Sequence, residues 1–186
     1  MHKLQRRTCT FCYKKTKLEE TKMSLFTGKT LMITGGTGSF GNAVLNRFLE
    51  TDIKEIRVFS RDELKQDNMR HEYQAKYPDT FSKLKFYIGD ALRLIPALGI
   101  TFDLAFVDGD KRKYIDYYEM TLAHLSVGGY IIADNTLWDG HVLEEPHSND
   151  HQTIGIKAFN ELVAHDERVE KVILPLRDGL TIIRKK

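Results

Sequence analysis

The fold is decided by residues 30–41, which read TLMITGGTGSFG. A short apolar and β-branched run, typical of a strand, leads into a glycine-rich turn and then into a helical pattern. Gly35, Gly38 and Gly41 match G-x-x-G-x-x-G, which lets backbone N–H groups approach a phosphate at the positive end of a helix. We therefore expect a nucleotide-binding turn between a strand and a helix, with a merely tight turn as the alternative.

Beyond this turn the chain alternates short apolar runs with helical patterns, which is typical of a parallel sheet covered by helices on both faces. Only residues 175–180 separate the last two predicted strands. That gap is too short for a crossover helix, so these strands must be antiparallel. We predict an α/β, doubly wound, Rossmann-like fold whose mostly parallel seven-stranded sheet has an antiparallel final strand. The predicted strands are 30–34, 55–59, 84–88, 104–107, 130–133, 169–174 and 181–184, and the predicted helices are 39–50, 62–77, 91–98, 114–125 and 153–165.

Composition places the chain among ordinary globular proteins, with 186 residues, 41% hydrophobic and 29% charged. No apolar run reaches the ~20 residues that cross a bilayer, so no membrane partner is expected. Residues 1–22 carry seven basic and two acidic side chains. We predict that they form a disordered basic leader before one domain at 23–186, which divides into halves at 23–90 and 91–186. Contact of the leader with nucleic acid is the less favoured alternative to no role.

The cysteines Cys9 and Cys12 form a lone C-x-x-C in that leader. Structural zinc needs four ligands, and the chain has no other cysteine to complete such a site. Two reduced thiols of a cytoplasmic protein are the favoured interpretation, and a metal or redox pair is the alternative.

Ser60 and Arg61 come directly after the second predicted strand. In dinucleotide-binding sheets an acid at this point binds the ribose of NAD, whereas an arginine accommodates the 2′-phosphate of NADP. Arg61 therefore favours NADP, and a solvated arginine at a helix start is the alternative.

Residues 24–90, especially 33–48, 51–57 and 59–67, resemble the N-terminus of the extended short-chain dehydrogenases of the UDP-N-acetylglucosamine 4,6-dehydratase, or CapD-like, family. The resemblance implies that NADP is bound by the glycine loop with Ser60 and Arg61, and that Asp90 contacts adenine. The catalytic Tyr-x-x-x-Lys of that family occurs here only at Tyr13 and Lys17, upstream of the loop. Sugar dehydration is therefore not expected.

Residues 90–186 resemble a different family. The stretches FDLAFVDGDK at 102–111 and GGYIIADNTLWDG at 128–140 are similar to those of metal-dependent O-methyltransferases of the caffeoyl-CoA and catechol type. This resemblance implies S-adenosylmethionine as methyl donor, a divalent cation, and a small hydroxylated aromatic acceptor such as a catechol. The chain is thus predicted to be a hybrid whose halves meet near residue 90.

Asp108 ends the fourth predicted strand, and Asp134 and Asn135 end the fifth. Neighbouring parallel strands bring their carboxyl ends to one edge of the sheet, where ligands converge. Three oxygen ligands suit Mg²⁺ or Ca²⁺ better than zinc. The alternative is that these side chains are two helix caps and a turn asparagine.

The methyltransferase resemblance also assigns roles around this edge. Lys111 corresponds to the candidate general base, acting beside Asp108, with a surface lysine paired to an aspartate as the alternative. Trp138 is predicted to form one wall of the substrate site. Asp110 and Tyr117 are predicted to line the cofactor site. Simple packing is the alternative for both aromatic side chains.

Two departures from the methyltransferase pattern are visible. Thr34 stands where that family carries an acid for the methionine ammonium, and the helices that build its dimer do not precede the first strand, so a homodimer is left open. The predicted function is an O-methyltransferase that depends on S-adenosylmethionine and a divalent metal. The alternatives are an NADP-binding module without its catalytic half and a hybrid that performs no chemistry.

Overall fold

The computed structural model describes residues 25–186, so the predicted leader, Cys9 and Cys12 lie outside the described residues. The strands are β1 (Thr30–Thr34), β2 (Glu55–Ser60), β3 (Leu84–Ile88), β4 (Phe102–Val107), β5 (Leu125–Asp134), β6 (Val169–Leu174) and β7 (Leu180–Lys185). The helices are α1 (Ser39–Leu49), α2 (Glu63–Lys76), α3 (Ala91–Leu98), α4 (Tyr114–His124) and α5 (His151–His165). Every predicted element is present. β5 starts five residues earlier than predicted, because Ser126, Gly128 and Gly129 hide the strand pattern.

All seven strands belong to one sheet in the order β3-β2-β1-β4-β5-β7-β6. β1 to β5 pair in parallel, and β7 runs antiparallel to both β5 and β6. The predicted mostly parallel sheet with an antiparallel final strand is confirmed. The chain winds outward from β1 to β3 and then crosses to β4 on the other side of β1. This switch point leaves a crevice beyond the carboxyl ends of β1 and β4, which is where ligands bind in open α/β sheets.

Alternating side chains of the strands build one core on each face of the sheet. Leu31 and Ile33 of β1 are fully buried with Leu45 and Leu49, which lie one turn apart on α1. Met32 points to the opposite face and joins the core formed with α3, α4 and α5. Both faces of the central strands are thus covered, as the near-continuous apolar pattern of β1 requires.

Three of the helices begin at an aspartate that follows a strand or a loop. Asp62, Asp90 and Asp150 accept backbone N–H bonds in the first turns of α2, α3 and α5. Such caps satisfy helix N–H groups that have no partner within the helix. The capped starts of α2 and α3 lie at the same edge of the sheet as the crevice. Within residues 25–186, none of the helices has the length and apolar character needed to cross a membrane.

Candidate active site

A cleft of about 190 Å³ lies beyond the carboxyl ends of β1 to β4. It is lined by residues from the glycine turn, the ends of β2, β3 and β4, and α4. The lining residues are Thr34, Gly35, Phe59, Ser60, Arg61, Asp62, Gly89, Asp90, Ala91, Asp108, Gly109, Asp110 and Tyr117. The structure therefore brings together most of the residues that the sequence predicted to bind a nucleotide, although they come from both predicted halves of the chain.

The glycine turn closes tightly over the end of β4. Gly35 has a φ of +65°, and a Cβ on it would lie 2.6 Å from the backbone oxygen of Asp108. Only glycine meets both conditions without strain. Gly38 is the N-cap of α1, and its N–H donates to Gly35 O at 2.9 Å. Gly41 lies behind the turn, where a Cβ would come within 2.6 Å of Gly36 Cα. Its position explains the close packing of α1 on the turn, and it does not line the cleft.

Thr34 links the carboxyl ends of β1 and β4 by hydrogen bonds. Its hydroxyl accepts the backbone N–H of Asp108 at 3.2 Å and lies 3.3 Å from the backbone oxygen of Phe106. The side chain is 5% exposed. The position where an acid was expected for a methionine ammonium thus holds a hydroxyl that links two strands.

The outer wall of the cleft carries polar groups from β2 and β3. Ser60 Oγ accepts the N–H of Asp62 and lies 3.1 Å from Thr37 Oγ1, so it fixes the turn after β2. Arg61 is exposed beside it. Asp90 uses one oxygen to cap α3, and its other oxygen lies 3.9 Å from Lys113 Nζ. The end of β2 thus presents a hydroxyl and a cation, which suit a phosphate, next to the Asp62 carboxylate, which suits a ribose diol.

Asp110 and Tyr117 form the inner wall. Arg112 contacts both carboxylate oxygens of Asp110, and this hydrogen-bonded pair lowers the pKa of Asp110 to about 2. Tyr117 is 8% exposed, its ring lies against Gly109, and burial raises the pKa of its hydroxyl. Both residues line the cleft, and Tyr117 is at the same time part of the core.

Lys111 lies beside this cleft, 3% exposed, and is therefore not the surface lysine of the alternative interpretation. Its Nζ donates to Asn135 Oδ1 at 2.9 Å and lies 3.4 Å from Asp108 Oδ1. It also contacts the Tyr114 hydroxyl and lies 3.4 Å from the backbone oxygen of Asp134. Burial lowers the pKa of Lys111, and the charge of Asp108 opposes that shift.

Of the predicted metal ligands, Asp108 and Asn135 contact the Lys111 ammonium through side-chain oxygens, whereas Asp134 contacts it through its backbone oxygen and uses Oδ1 to accept the Asn135 N–H at 2.8 Å. Burial raises the pKa of Asp134, and the nearby charge of Asp108 adds to that effect. Asn135 has a φ of +58°, an uncommon value that places its side chain at the end of β5. Residues 25–186 contain no group of three or more His, Cys, Asp or Glu side chains arranged for a metal ion. A metal here would depend on the amide oxygen of Asn135 as the third ligand, and this all-oxygen set fits Mg²⁺ or Ca²⁺.

Lys111, Asp108, Asn135 and Tyr114 form a group that we call the Lys111 cluster. Trp138, in the loop after β5, lies next to it. Its ring centroid lies 5.7 Å from Lys111 Nζ, and the side chain packs partly on the core. In the same loop Trp138 and Asp139 are two further non-glycine residues with a positive φ. Backbone in this region costs energy for non-glycine residues and persists where the surrounding structure holds it.

The structure also places two residues here to which the sequence assigned no role. Tyr114 is 1% exposed, and its hydroxyl donates to the backbone oxygen of Asp134 at 2.8 Å. Gln152 accepts the backbone N–H of Lys111 at 3.0 Å. Tyr114 could have been found from the sequence, because residues three positions apart share one face of a helical turn and Tyr114 follows Lys111 at that spacing. No local pattern could identify Gln152, because it comes from α5, 41 positions away.

Comparison with known proteins identifies the class. A family model described as O-methyltransferase matches residues 46–186, well over half of the chain. The chain belongs to this O-methyltransferase family. The match starts within α1, well before residue 90, where the sequence predicted this resemblance to begin.

Solved structures agree with the family. An O-methyltransferase from Bacillus cereus in complex with S-adenosylhomocysteine is 25% identical and has a TM-score of 0.73, covering 85% of this chain and 74% of that one. A Podospora anserina methyltransferase with S-adenosylhomocysteine bound is 25% identical with a TM-score of 0.72, covering 85% and 72% of the two chains. The Rossmann-like methyltransferase fold is thus confirmed.

A shorter part of the chain is similar to other proteins. Over 70 residues, it is 64% identical to the UDP-glucose 4-epimerase of Rickettsia typhi and 63% identical to that of Rickettsia canadensis. This stretch is 36% of the chain and 19% of each relative. The chain therefore spans about a fifth of the length of these curated relatives.

Proposed function

We propose that the chain is an O-methyltransferase that uses S-adenosylmethionine and a divalent cation to methylate a catechol-like or other small hydroxylated aromatic compound. One observation carries the proposal. Asp108 lines the cleft and also contacts the buried ammonium of Lys111. A donor in the cleft and an acceptor at the cluster would therefore be neighbours, as direct methyl transfer requires.

Asp108, Asp134 and Asn135 would hold the cation, because they stand at the ends of neighbouring strands and their oxygens suit Mg²⁺ or Ca²⁺. When bound, such an ion lowers the pKa of a coordinated hydroxyl and orients it. Catechols present two adjacent oxygens, which matches a site with few protein ligands. Trp138, whose ring lies near Lys111, would cover one face of the acceptor ring.

Lys111 is the proposed general base. As a neutral amine it takes the proton of the acceptor hydroxyl, and the resulting oxygen attacks the methyl carbon of the sulfonium. The new C–O bond forms as the C–S bond breaks, which leaves neutral S-adenosylhomocysteine and an ammonium on Lys111. Burial shifts the pKa of Lys111 in the direction that this role needs.

A methyl-transfer assay tests this function. Purified chain is incubated with radiolabelled S-adenosylmethionine, a catechol and Mg²⁺, and the labelled product is counted. We expect transfer that EDTA abolishes and that Asp134→Ala reduces at least about a hundredfold. Exposed Glu161 on α5 offers a matched control, since Glu161→Ala removes a carboxylate that pairs only with His165 in the described contacts. Equal rates for Asp134→Ala and wild type would contradict the proposal.

A second candidate function is an NADP-binding module of hybrid origin that lacks the catalytic half of a sugar-nucleotide enzyme. Arg61 and Ser60 at the cleft, together with the 64% identity to an epimerase over 70 residues, favour it. In this case NADPH would bind and no methyl transfer would occur. In either case we propose a cytoplasmic protein whose partner is a small molecule, with no nucleic acid or membrane, and a homodimer is left open.

A further inference from the structure

The Lys111 ammonium lies inside the oxygen cluster that is proposed to hold the metal. Its Nζ lies 2.9 Å from Asn135 Oδ1 and 3.4 Å from Asp108 Oδ1. A magnesium ion binds oxygen at about 2.0–2.1 Å, and calcium at about 2.3–2.6 Å. An ion bound to these same two oxygens would therefore be a close neighbour of the ammonium. Two like charges in one buried cluster repel, so the ion and the ammonium compete for the same ligands.

The backbone of Lys111 is fixed, and its side chain is the part that can respond. Gln152 accepts its N–H, and α5 approaches so closely that a Cβ on Gly155 would lie 2.5 Å from Lys111 O. The ammonium itself has neighbours on its other side. It contacts the Tyr114 hydroxyl, and it lies 4.3 Å from the Tyr114 ring centroid and 5.7 Å from that of Trp138. Aromatic faces stabilise a cation at such distances.

We propose that Lys111 is an internal counter-cation that occupies the metal site of the free protein and lowers its affinity for divalent ions. The inference rests on the proposed function, because it needs the metal site. In the free protein the ammonium neutralises Asp108 and binds the amide oxygen of Asn135. A divalent ion binds only when the ammonium leaves Asn135 Oδ1.

The test is calorimetric titration of the full chain with MgCl₂ alone at one neutral pH. Lys111→Met removes the charge, and Lys111→Arg keeps it. Lys113→Met is the matched control, since it removes a lysine charge two residues away that is 42% exposed and points to Asp90. We expect Lys111→Met to bind Mg²⁺ at least about tenfold more tightly than wild type. Lys111→Arg and Lys113→Met should stay within about twofold of it.

The outcomes separate this inference from the proposed function. Equal Mg²⁺ affinity in wild type and Lys111→Met overturns the competition while leaving the metal site in place. If no variant binds Mg²⁺, the metal site itself is absent, and both the site and the inference fall.

A second measurement uses the wild-type chain, so it does not depend on the folding of a variant. Trp138 is the only tryptophan in the sequence, and its ring faces the ammonium. We expect its fluorescence to change as MgCl₂ is added, with the same midpoint as the calorimetric titration. If the heat of Mg²⁺ binding reaches saturation while the Trp138 emission stays unchanged, the ammonium has not moved, and the inference is overturned.

Discussion

The two sides of the crevice at the carboxyl edge of the sheet differ in how their polar groups are held. On the side of β1 to β3, a backbone turn, Ser60 and the exposed Arg61 face an open cleft. On the side of β4 and β5, Lys111 and Tyr114 are almost fully buried and bonded to one another. We propose that the first side binds a ligand from solvent and that the second holds charged groups in fixed positions. In this proposal, binding belongs to the first side and chemistry to the second, with Asp108 at their junction.

The largest effect should come from the buried side. Replacing Lys111 with Met removes the proposed base, so we expect kcat for methyl transfer to fall about 10²- to 10⁴-fold. The measurement is steady-state kinetics at saturating Mg²⁺. This condition separates the loss of the base from the gain in metal affinity. Retained kcat would mean that the buried side does not perform the proton transfer.

The second prediction concerns the glycine turn, which packs against Asp108, the residue shared by the two sides of the crevice. Gly35→Ala combines a positive φ with a Cβ only 2.6 Å from Asp108 O, so we expect the free energy of unfolding to fall by about 2–4 kcal/mol. Gly99→Ala is the matched control, because Gly99 also has a positive φ, +56°, but nothing lies within 4 Å of its Cβ position. It should cost only about 1–2 kcal/mol. Urea unfolding of both variants measures the difference, and equal losses would remove the argument from close packing.

The third prediction tests whether Arg61 determines which ligand the open side prefers. Arg61→Ala removes a cation from the cleft wall, so NADPH affinity should fall about tenfold, and more than the affinity for S-adenosylmethionine. Arg70→Ala provides the control, since Arg70 is exposed and pairs with Asp67, and neither residue lines the cleft. Calorimetric titration of each ligand measures both affinities. An equal loss of affinity for the two ligands would show that Arg61 does not bind the phosphate of NADPH.

The smallest effect concerns an ion pair outside both sides of the crevice. Asp166 accepts from Tyr118 at 2.8 Å and pairs with Arg168, and this pairing holds the pKa of Asp166 well below its usual value. A lowered pKa stabilises the fold above the unfolded-state value of about 4, and this contribution is lost as the pH falls towards the native value.

Asp166→Asn should therefore cost about 1 kcal/mol at pH 7 and less at pH 3. Urea unfolding at the two pH values checks the sign. A difference between wild type and variant that stays constant with pH would mean that the carboxylate charge contributes nothing.

Much of the fold follows from local patterns in the sequence. The apolar run of β1, the glycine turn and the short gap before β7 were sufficient to predict the sheet and its antiparallel strand. The predicted bounds differ from the structure where polar or glycine residues interrupt a strand, as at the start of β5. The hybrid interpretation is supported only in part, because the family match begins at residue 46.

The site was predictable where ligand chemistry depends on strand ends. Asp108 and Asp134 could be placed together because neighbouring parallel strands end at one edge. The burial of Lys111 and its bond to Asn135 could not, because they depend on the packing of α5 against the short segment that carries Lys111. Gln152 makes that contact across 41 positions of sequence.

The most direct test of the central claim, that the open side of the crevice supplies a methyl donor to the buried side, is calorimetric titration of the whole chain with S-adenosylmethionine and, separately, with NADPH, each with Mg²⁺ present. The account predicts micromolar binding of S-adenosylmethionine, corresponding to about 8 kcal/mol. Binding of NADPH alone would contradict it, because the Lys111 cluster would then have no methyl donor beside it.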